Sequence, residues 1–343
     1  MGAEGPDAGA VREALAESVG DDPGPVRLRL VPGGASRETF LVEASERSWV
    51  LRRDPPGAQS FVPLRVEFGV ARAALESGVP VPAPLRFEPE GGRFGSAGYL
   101  MERVDGTSVA PRILRRDAYA DARERLPDEL AVALARIHSI EAGTVEGVPM
   151  SGEDPAVAAC ELWEAELDRV SEPLPALEAG LRWLRLNRPP PPGRQALVHG
   201  DFRLGNVIVG EGGLAAVIDW ELCHAGDPAE DVGWLCIRSW RFGNDDLPVA
   251  GLGRLEGFLD SYAAAGGLPP DPARLGWWEA MGNVKWAVIC ARQADDHLTG
   301  RRRSHELASL GRRICEPEWD LLELMPAASS ASRPGAAGSA GLA

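Results

Sequence analysis

The stretch LVHGDFRLGNVIVGEGGLAAVIDWE, residues 197–221, gathers the residues best suited to chemistry. Three short apolar runs, 196–198, 207–209 and 214–218, are rich in Val and Ile and read as buried strands. His199, Asp201, Asn206, Asp219 and Glu221 stand at the ends of these runs and none inside them. Loops held on a rigid sheet are where reacting groups are usually placed. A carboxylate at Asp201 suits the proton of an attacking hydroxyl, and Asn206 and Asp219 offer oxygen atoms of the kind Mg2+ prefers. Acid groups at the ends of buried strands are costly without a cation or hydrogen bonds. His199 is expected to fix the loop by hydrogen bonds, with Glu221 as a supporting or metal group.

Phosphoryl transfer asks for these parts and two more, a backbone cradle for phosphates and a cation beside them. Asp201 and Asn206 are five positions apart, the spacing of the aspartate and asparagine in kinase catalytic loops, and Asp219 ends the next hairpin strand. Gly33, Gly34 and Ser36, in the turn between two strand candidates, can approach and donate to a phosphate. Arg52 and Arg53 end a strand whose alternation points one of them inward, and Glu67 on the following helix is the natural partner for Arg52. Asp227 reads as an N-cap-like residue and Asp231 as a group hydrogen-bonding back to the catalytic loop. No G-x-x-x-x-G-K-[ST], no G-x-G-x-x-G after a strand and no G-x-S-x-G is present. P-loop enzymes, dinucleotide folds and serine hydrolases therefore lose their usual signatures.

The elements that must position these residues fall into two groups. Strand candidates at 26–31, 38–44, 49–53, 85–88 and 97–103 surround one helix over 61–77, whose apolar residues recur at helical spacing. Helical patterns then dominate, at 127–140, 155–170, 174–187, 229–239, 252–265, 274–297 and 303–324. The expectation is α+β: an N-terminal extension with a short helix (1–25), a sheet lobe (26–104), a helical lobe (105–325) and a disordered tail (326–343).

Composition narrows the partners. The chain has 343 residues, 44% hydrophobic and 25% charged, and a formal charge of −15. That charge argues against general binding to nucleic acid or anionic membranes. No apolar run reaches the ~20 residues of a membrane span, and residues 1–20 lack the apolar core of a secretory signal, so a cytoplasmic protein is expected. The five cysteines are scattered without a C-x-x-C pair, which fits reduced thiols better than a disulfide or zinc framework.

HGDFRLGNVIV followed by VIDWE resembles the aminoglycoside phosphotransferase family, whose two-lobed fold is similar to protein kinases. PGGASRETF, WVLRRDPPG, RVEFGVARAALESGVPVPAPL and YLMERVDG resemble that family's nucleotide loop, phosphate-binding strand, pairing helix and hinge. The likeness covers roughly residues 27–325 and is greatest to the branch of kinase-like domains fused to acyl-CoA dehydrogenases. The resemblance implies a protein-kinase-like fold, with an antiparallel-sheet N-lobe and a helical C-lobe. It implies ATP and Mg2+ as cofactors and transfer of the γ-phosphoryl group to a hydroxyl of a small-molecule acceptor. Arg52 takes the usual lysine's place, as is common in that branch, and the adenine edge meets the backbone of Met101, Glu102 and Arg103.

For the acceptor, Trp240, Arg241, Trp278 and Lys285 set cations among tryptophans. They favour an anionic or neutral hydroxylated metabolite, for example a hydroxyacyl compound, over a cationic aminoglycoside. Two other readings compete. One is a metal-dependent phosphohydrolase using His199, Asp201, Asp219, Glu221 and His224; the other is a nucleotide-binding pseudokinase that regulates a partner.

Overall fold

The computed structural model describes residues 5–31, 37–55, 61–141 and 143–325. Gly33, Gly34 and Ser36 lie outside the described residues, as does the tail from residue 326. The chain opens with α1 (Ala8–Val19), then β1 (Arg27–Leu30), β2 (Glu38–Ala44), β3 (Arg47–Arg53), α2 (Leu64–Glu76), β4 (Pro84–Glu88) and β5 (Gly98–Glu102). The five strands pair antiparallel in the order β1-β2-β3-β5-β4. Val11, Ala14 and Leu15 of α1 pack with Phe40, Val42, Trp49, Leu51 and Leu100, so the N-terminal helix closes the apolar face of the sheet.

Strand alternation on β3 decides which arginine serves the site. Trp49, Leu51 and Arg53 are buried on the α1 face, where Arg53 lies over the Phe40 ring and pairs with Glu38 at 2.7 Å. Arg52, between Thr39 and Tyr99 in the register, therefore points to the opposite face, toward Glu67 of α2. Met101, Glu102 and Arg103 finish β5 and lead out of the sheet, with the Arg103 guanidinium on Ser48 Oγ (3.2 Å) and Asp105 (3.1 Å).

The second half is mainly helical: α3 (Ala110–Arg115), α4 (Ala120–Ser139), α5 (Pro155–Leu167), α6 (Pro175–Leu186), α7 (Ala229–Cys236), α8 (Leu255–Ala264), α9 (Pro272–Leu298), α10 (His305–Leu310) and α11 (Cys315–Leu324). Within it β6 (Ala196–Val198) pairs with β9 (His224–Gly226), and β7 (Val207–Gly210) with β8 (Gly213–Val217), both antiparallel. α4 begins at Ala120, seven residues before the sequence places it, and runs through Pro127. The apolar stripe of Ala122, Leu126, Leu130, Leu134 and Ile137, all buried, outweighs the backbone hydrogen bond that a proline forfeits. The helical pattern at 303–324 divides into α10 and α11, with a tight 3-10 turn at Gly311–Arg313 between them.

α9 is the longest helix, at 27 residues, and it starts cleanly. The Asp271 carboxylate accepts from the backbone of Ala273 (3.0 Å) and Arg274 (2.9 Å), with Pro272 in the first helical position. It lies against α7 so closely that a Cβ on Gly233 would come within 2.7 Å of the Trp278 carbonyl carbon and 2.9 Å of the Glu279 nitrogen. Gly233→Ala should therefore push the two backbones apart and destabilise the chain by about 1–3 kcal/mol. Urea denaturation measures this, and an unchanged midpoint would show that the helices have room to spare.

Candidate active site

The loop between β6 and β7 carries His199, Asp201 and Asn206, and its shape is imposed from beneath. Gly200 has φ +79, and a Cβ there would lie 2.2 Å from the Leu222 carbonyl oxygen, so only glycine fits. Asp231, fully buried on the first turn of α7, accepts from the backbone N–H of His199 (2.7 Å) and Gly200 (2.9 Å). Its Oδ2 also meets His138 Nε2 of α4 (3.1 Å), and His138 Nδ1 meets the Tyr262 hydroxyl of α8 (2.7 Å). Burial works against ionisation of Asp231, but the His138 contact and the loop amides outweigh it and hold the carboxyl below its usual range. One peptide further on, the Lys285 ammonium of α9 donates to the Gly200 carbonyl.

His199 sits under the loop with both ring nitrogens engaged. Nδ1 accepts from Asp201 N–H (3.2 Å), so Nε2–H donates to the Ile218 carbonyl (3.1 Å), and burial keeps the ring's pKa down. Asp201 is gripped by three donors. Arg203 Nε (3.0 Å) and Trp234 Nε1 (2.8 Å) reach Oδ1, and Asn206 Nδ2 reaches Oδ2 (2.6 Å) as well as the Asp201 carbonyl (3.0 Å). The Arg203 guanidinium also stacks over Trp240, 4.8 Å from its centroid. Both donor directions of the Asn206 amide thus go to Asp201, which leaves its carbonyl oxygen as the atom for a cation.

Asp219 follows β8 with φ +71, a strained conformation for a residue with a side chain. Its Oδ1 takes Arg52 Nη2 at 2.5 Å, and Glu221 lies 3.6 Å from the same nitrogen. Burial disfavours the charge on Asp219, but Arg52 prevails and holds its carboxyl below the ordinary value. Arg52 Nε is 3.5 Å from Glu67 Oε2, so one guanidinium joins β3, α2 and the end of β8. Glu67 is fully buried; burial pushes its carboxyl up to about 7, against the pull of Arg52 and Arg37.

The structure therefore brings His199, Asp201, Asn206, Asp219, Glu221 and Asp231 together with Arg52 and Glu67. The four acceptor candidates do not converge. Trp278 is buried with its indole N–H on Asp227 (2.9 Å), and Arg241 is tied to the Cys236 carbonyl and Glu279. Trp240 is packed between Trp234 and Trp286. Lys285 reaches a cavity of about 740 Å³ bordered by Met150, Leu162, Trp163, Leu222, His224 and Arg292. Asp227 caps α7 through Ala229 N–H (3.0 Å) and also holds Arg274 of α9. Arg203, Trp234, His138 and Tyr262 were not foreseen. Arg203 stands inside the HGDFRLGN motif two positions after Asp201 and was open to sequence reasoning, whereas the other three carry no local signal.

The model of the phosphotransferase enzyme family matches residues 27–278. The chain belongs to that family. Acyl-CoA dehydrogenase family member 10 of Mus musculus is 28% identical over 90% of the chain, and member 11 of Gallus gallus is 28% identical over 87%. The chain spans 31% and 40% of the length of these two relatives. Among solved structures, a Ralstonia eutropha JMP134 protein provisionally assigned to the aminoglycoside phosphotransferases superposes with TM-score 0.73 at 23% identity, over 92% of this chain and 98% of that one. A thermostable mutant of aminoglycoside phosphotransferase APH(4)-Ia, in complex with AMP-PNP and hygromycin B, superposes with TM-score 0.53 at 18% identity, over 92% and 99%. These likenesses establish the two-lobed, kinase-like fold.

Asp231 is the group on which the loop hangs. Asp231→Ala should cost about 3–5 kcal/mol at pH 7, because buried amides and His138 lose their partner. An aspartate with a depressed folded pKa stabilises fully above its unfolded value of about 3.9 and loses that contribution as pH falls through the folded value. The difference between wild type and variant should therefore shrink below about pH 4, and denaturation measured across pH checks both statements.

Proposed function

We propose that the chain transfers the γ-phosphoryl group of ATP to a hydroxyl of a small, partly apolar metabolite of the hydroxyacyl type. The observation that carries the transfer is Asp201, fixed by three donors, beside Asp219, which a strand arginine reaches from the sheet lobe. In this reading Asp201 orients the acceptor hydroxyl and takes its proton as the new P–O bond forms and the bond from the γ-phosphorus to the β–γ bridging oxygen breaks, with ADP as the leaving group. Arg52 binds phosphate oxygens, with a permanent charge and more than one N–H to offer. Arg203 adds a second cation next to the reacting carboxylate. The Asn206 carbonyl oxygen and Asp219 form an all-oxygen donor pair that suits Mg2+, and these two residues would hold it. When bound, the ion neutralises phosphate charge during transfer. The turn holding Gly33, Gly34 and Ser36 would cradle the phosphates, and the backbone of Met101, Glu102 and Arg103 would meet the adenine.

The cavity beside Leu222 supports the acceptor class. Its walls carry Met150, Leu162, Trp163 and Ile289, and its charged groups are Arg169, His224, Lys285 and Arg292 against Glu166 and Glu230. A site with more cations than carboxylates opposes a polycationic aminoglycoside and suits a neutral or anionic acceptor with an apolar portion. The phosphohydrolase reading loses its ligands: His199 is committed to the loop and His224 to Leu222 and Glu230. Among the described residues, no group of three or more His, Cys, Asp or Glu side chains is arranged to hold a metal ion.

Incubation of the protein with Mg·ATP and a metabolite extract, read by the mass shift of a phosphoryl group, should reveal a phosphorylated hydroxy compound. Asp201→Asn should lower kcat about 10²–10⁴-fold and leave nucleotide affinity unchanged. Rapid phosphorylation of kanamycin-type drugs with none of hydroxyacyl compounds would sink the acceptor reading; ATP binding with no phosphorylated product would favour a pseudokinase.

His224 supplies a pH test of the same site. Its ring nitrogens meet the Leu222 carbonyl (3.0 Å) and the Glu230 carboxylate (3.1 Å), which only accept, so the ring donates from both. Burial opposes that charge, but Glu230 prevails and holds the pKa above its ordinary value. The cation is therefore complete below about pH 6.5 and is lost as pH rises through the folded value. KM for an anionic acceptor should rise over that interval, while a flat profile would separate His224 from acceptor binding.

A further inference from the structure

Kinase-like sites usually pair one strand cation with one helix glutamate. Here the helix glutamate has two arginines. Arg37, immediately before β2, is buried, with its side chain 2% exposed, and its Nη1 stands 2.9 Å from Glu67 Oε1. Its Nη2 donates to the Val62 carbonyl (2.5 Å), and its Nε is 3.6 Å from Asp54. Arg52 approaches the other oxygen of Glu67 less closely, at 3.5 Å, while its Nη2 is on Asp219 at 2.5 Å. The contacts to Glu67 are charge contacts rather than well-directed hydrogen bonds, since among the described residues neither of its oxygens has a hydrogen-bond donor in good geometry.

A carboxylate wholly removed from water needs a cation. If Arg52 were the only one, each of its movements toward a phosphate would strip Glu67 of compensation, and a bound nucleotide would compete with the packing of α2. A second guanidinium, fastened by the Val62 carbonyl where the chain enters α2, removes that conflict. Arg37 stays with Glu67, and Arg52 is left to divide itself between Glu67, Asp219 and the nucleotide.

We propose that Arg37 is a positioning residue for the nucleotide: it neutralises Glu67 so that Arg52 can engage phosphate without unseating α2. This rests on the role of Arg52 at the phosphates given above. The order of effects separates Arg37 from a residue that merely supports the fold. An arginine that acts through Arg52 has nothing to add once Arg52 is gone, whereas an independent contribution survives that loss.

The test measures the affinity of the full chain for Mg·AMP-PNP by calorimetry, alongside the thermal midpoint. Arg37→Gln keeps a donor for the Val62 carbonyl and removes the charge; Arg37→Lys keeps the charge. The glutamine variant should bind at least tenfold more weakly, the lysine variant within threefold of wild type, and Arg37→Gln/Arg52→Met no more weakly than Arg52→Met alone. Effects of the two substitutions that simply multiply would overturn the proposal, as would wild-type affinity in Arg37→Gln or failure of lysine to restore it. Should Arg37→Gln not fold, Glu67→Gln takes its place: it removes the charge that Arg37 answers. With that charge gone it should bind within threefold of wild type, and Arg37→Gln added to it should cost no further affinity; a larger loss in either would overturn the proposal. If Arg52→Met itself leaves affinity unchanged, the assignment of Arg52 to the phosphates fails and the inference falls with it. If Arg52→Met weakens binding and Arg37→Gln does not, the inference alone fails.

Discussion

A single buried carboxylate governs the geometry of the catalytic loop. Asp231 takes two successive backbone amides and a histidine, and through that histidine it is linked to Tyr262. Four separate segments, α4, α7, α8 and the loop, therefore share one electrostatic anchor. Buried amides must find an acceptor somewhere. By supplying it from a helix rather than from within the loop, the fold leaves the Asp201 carboxylate for other partners. A network of this kind has stringent requirements, because the low local dielectric that strengthens each bond also penalises each vacancy.

The other long-range constraint is the bridge made by Arg52. It begins on a strand, touches a helix and ends on the aspartate after β8, so sheet lobe and helical lobe meet in one guanidinium. A lysine offers a point charge at the end of a flexible stem, whereas arginine's planar fork can address several carboxylates at once. An arginine at this position thus goes with a broader set of acid partners than a single ion pair would need.

Much of this was legible in the sequence. The spacing of Asp201, Asn206 and Asp219 and the Val/Ile runs around them specify a loop and a hairpin, and both are found. β2 spans the residues that its alternation suggests, and β1, β3, β4 and β5 lie within two residues of theirs. Three-residue β9 was not visible, because alternation cannot declare itself over His224–Gly226. Trp234, His138 and Tyr262 were invisible for a different reason: their roles come from tertiary contacts between segments far apart in the chain, 33 positions for Trp234–Asp201 and 124 for His138–Tyr262. The acceptor candidates illustrate the limit of composition. Tryptophans near cations suggested a pocket, yet Trp278 and Trp240 fill the core, since large aromatic rings bury readily, and the Trp278 indole N–H is held by Asp227.

Lys285 divides the cavity into two zones of unequal freedom. Its ammonium lies on the Gly200 carbonyl, 3.3 Å from Glu230 and 4.7 Å from the Trp234 ring, whose indole holds Asp201. The inner wall of the cavity is thus the back of the loop between β6 and β7, and through Lys285 and Trp234 it adjoins the Asp201 carboxylate. Met150, at 62% exposure, and Leu162, at 37%, lie on the outer wall and have no such attachment. In the function proposed above, divergence of acceptor preference is accordingly confined in its location: outer positions can drift with little penalty in rate, while inner ones can change only together with the loop they support.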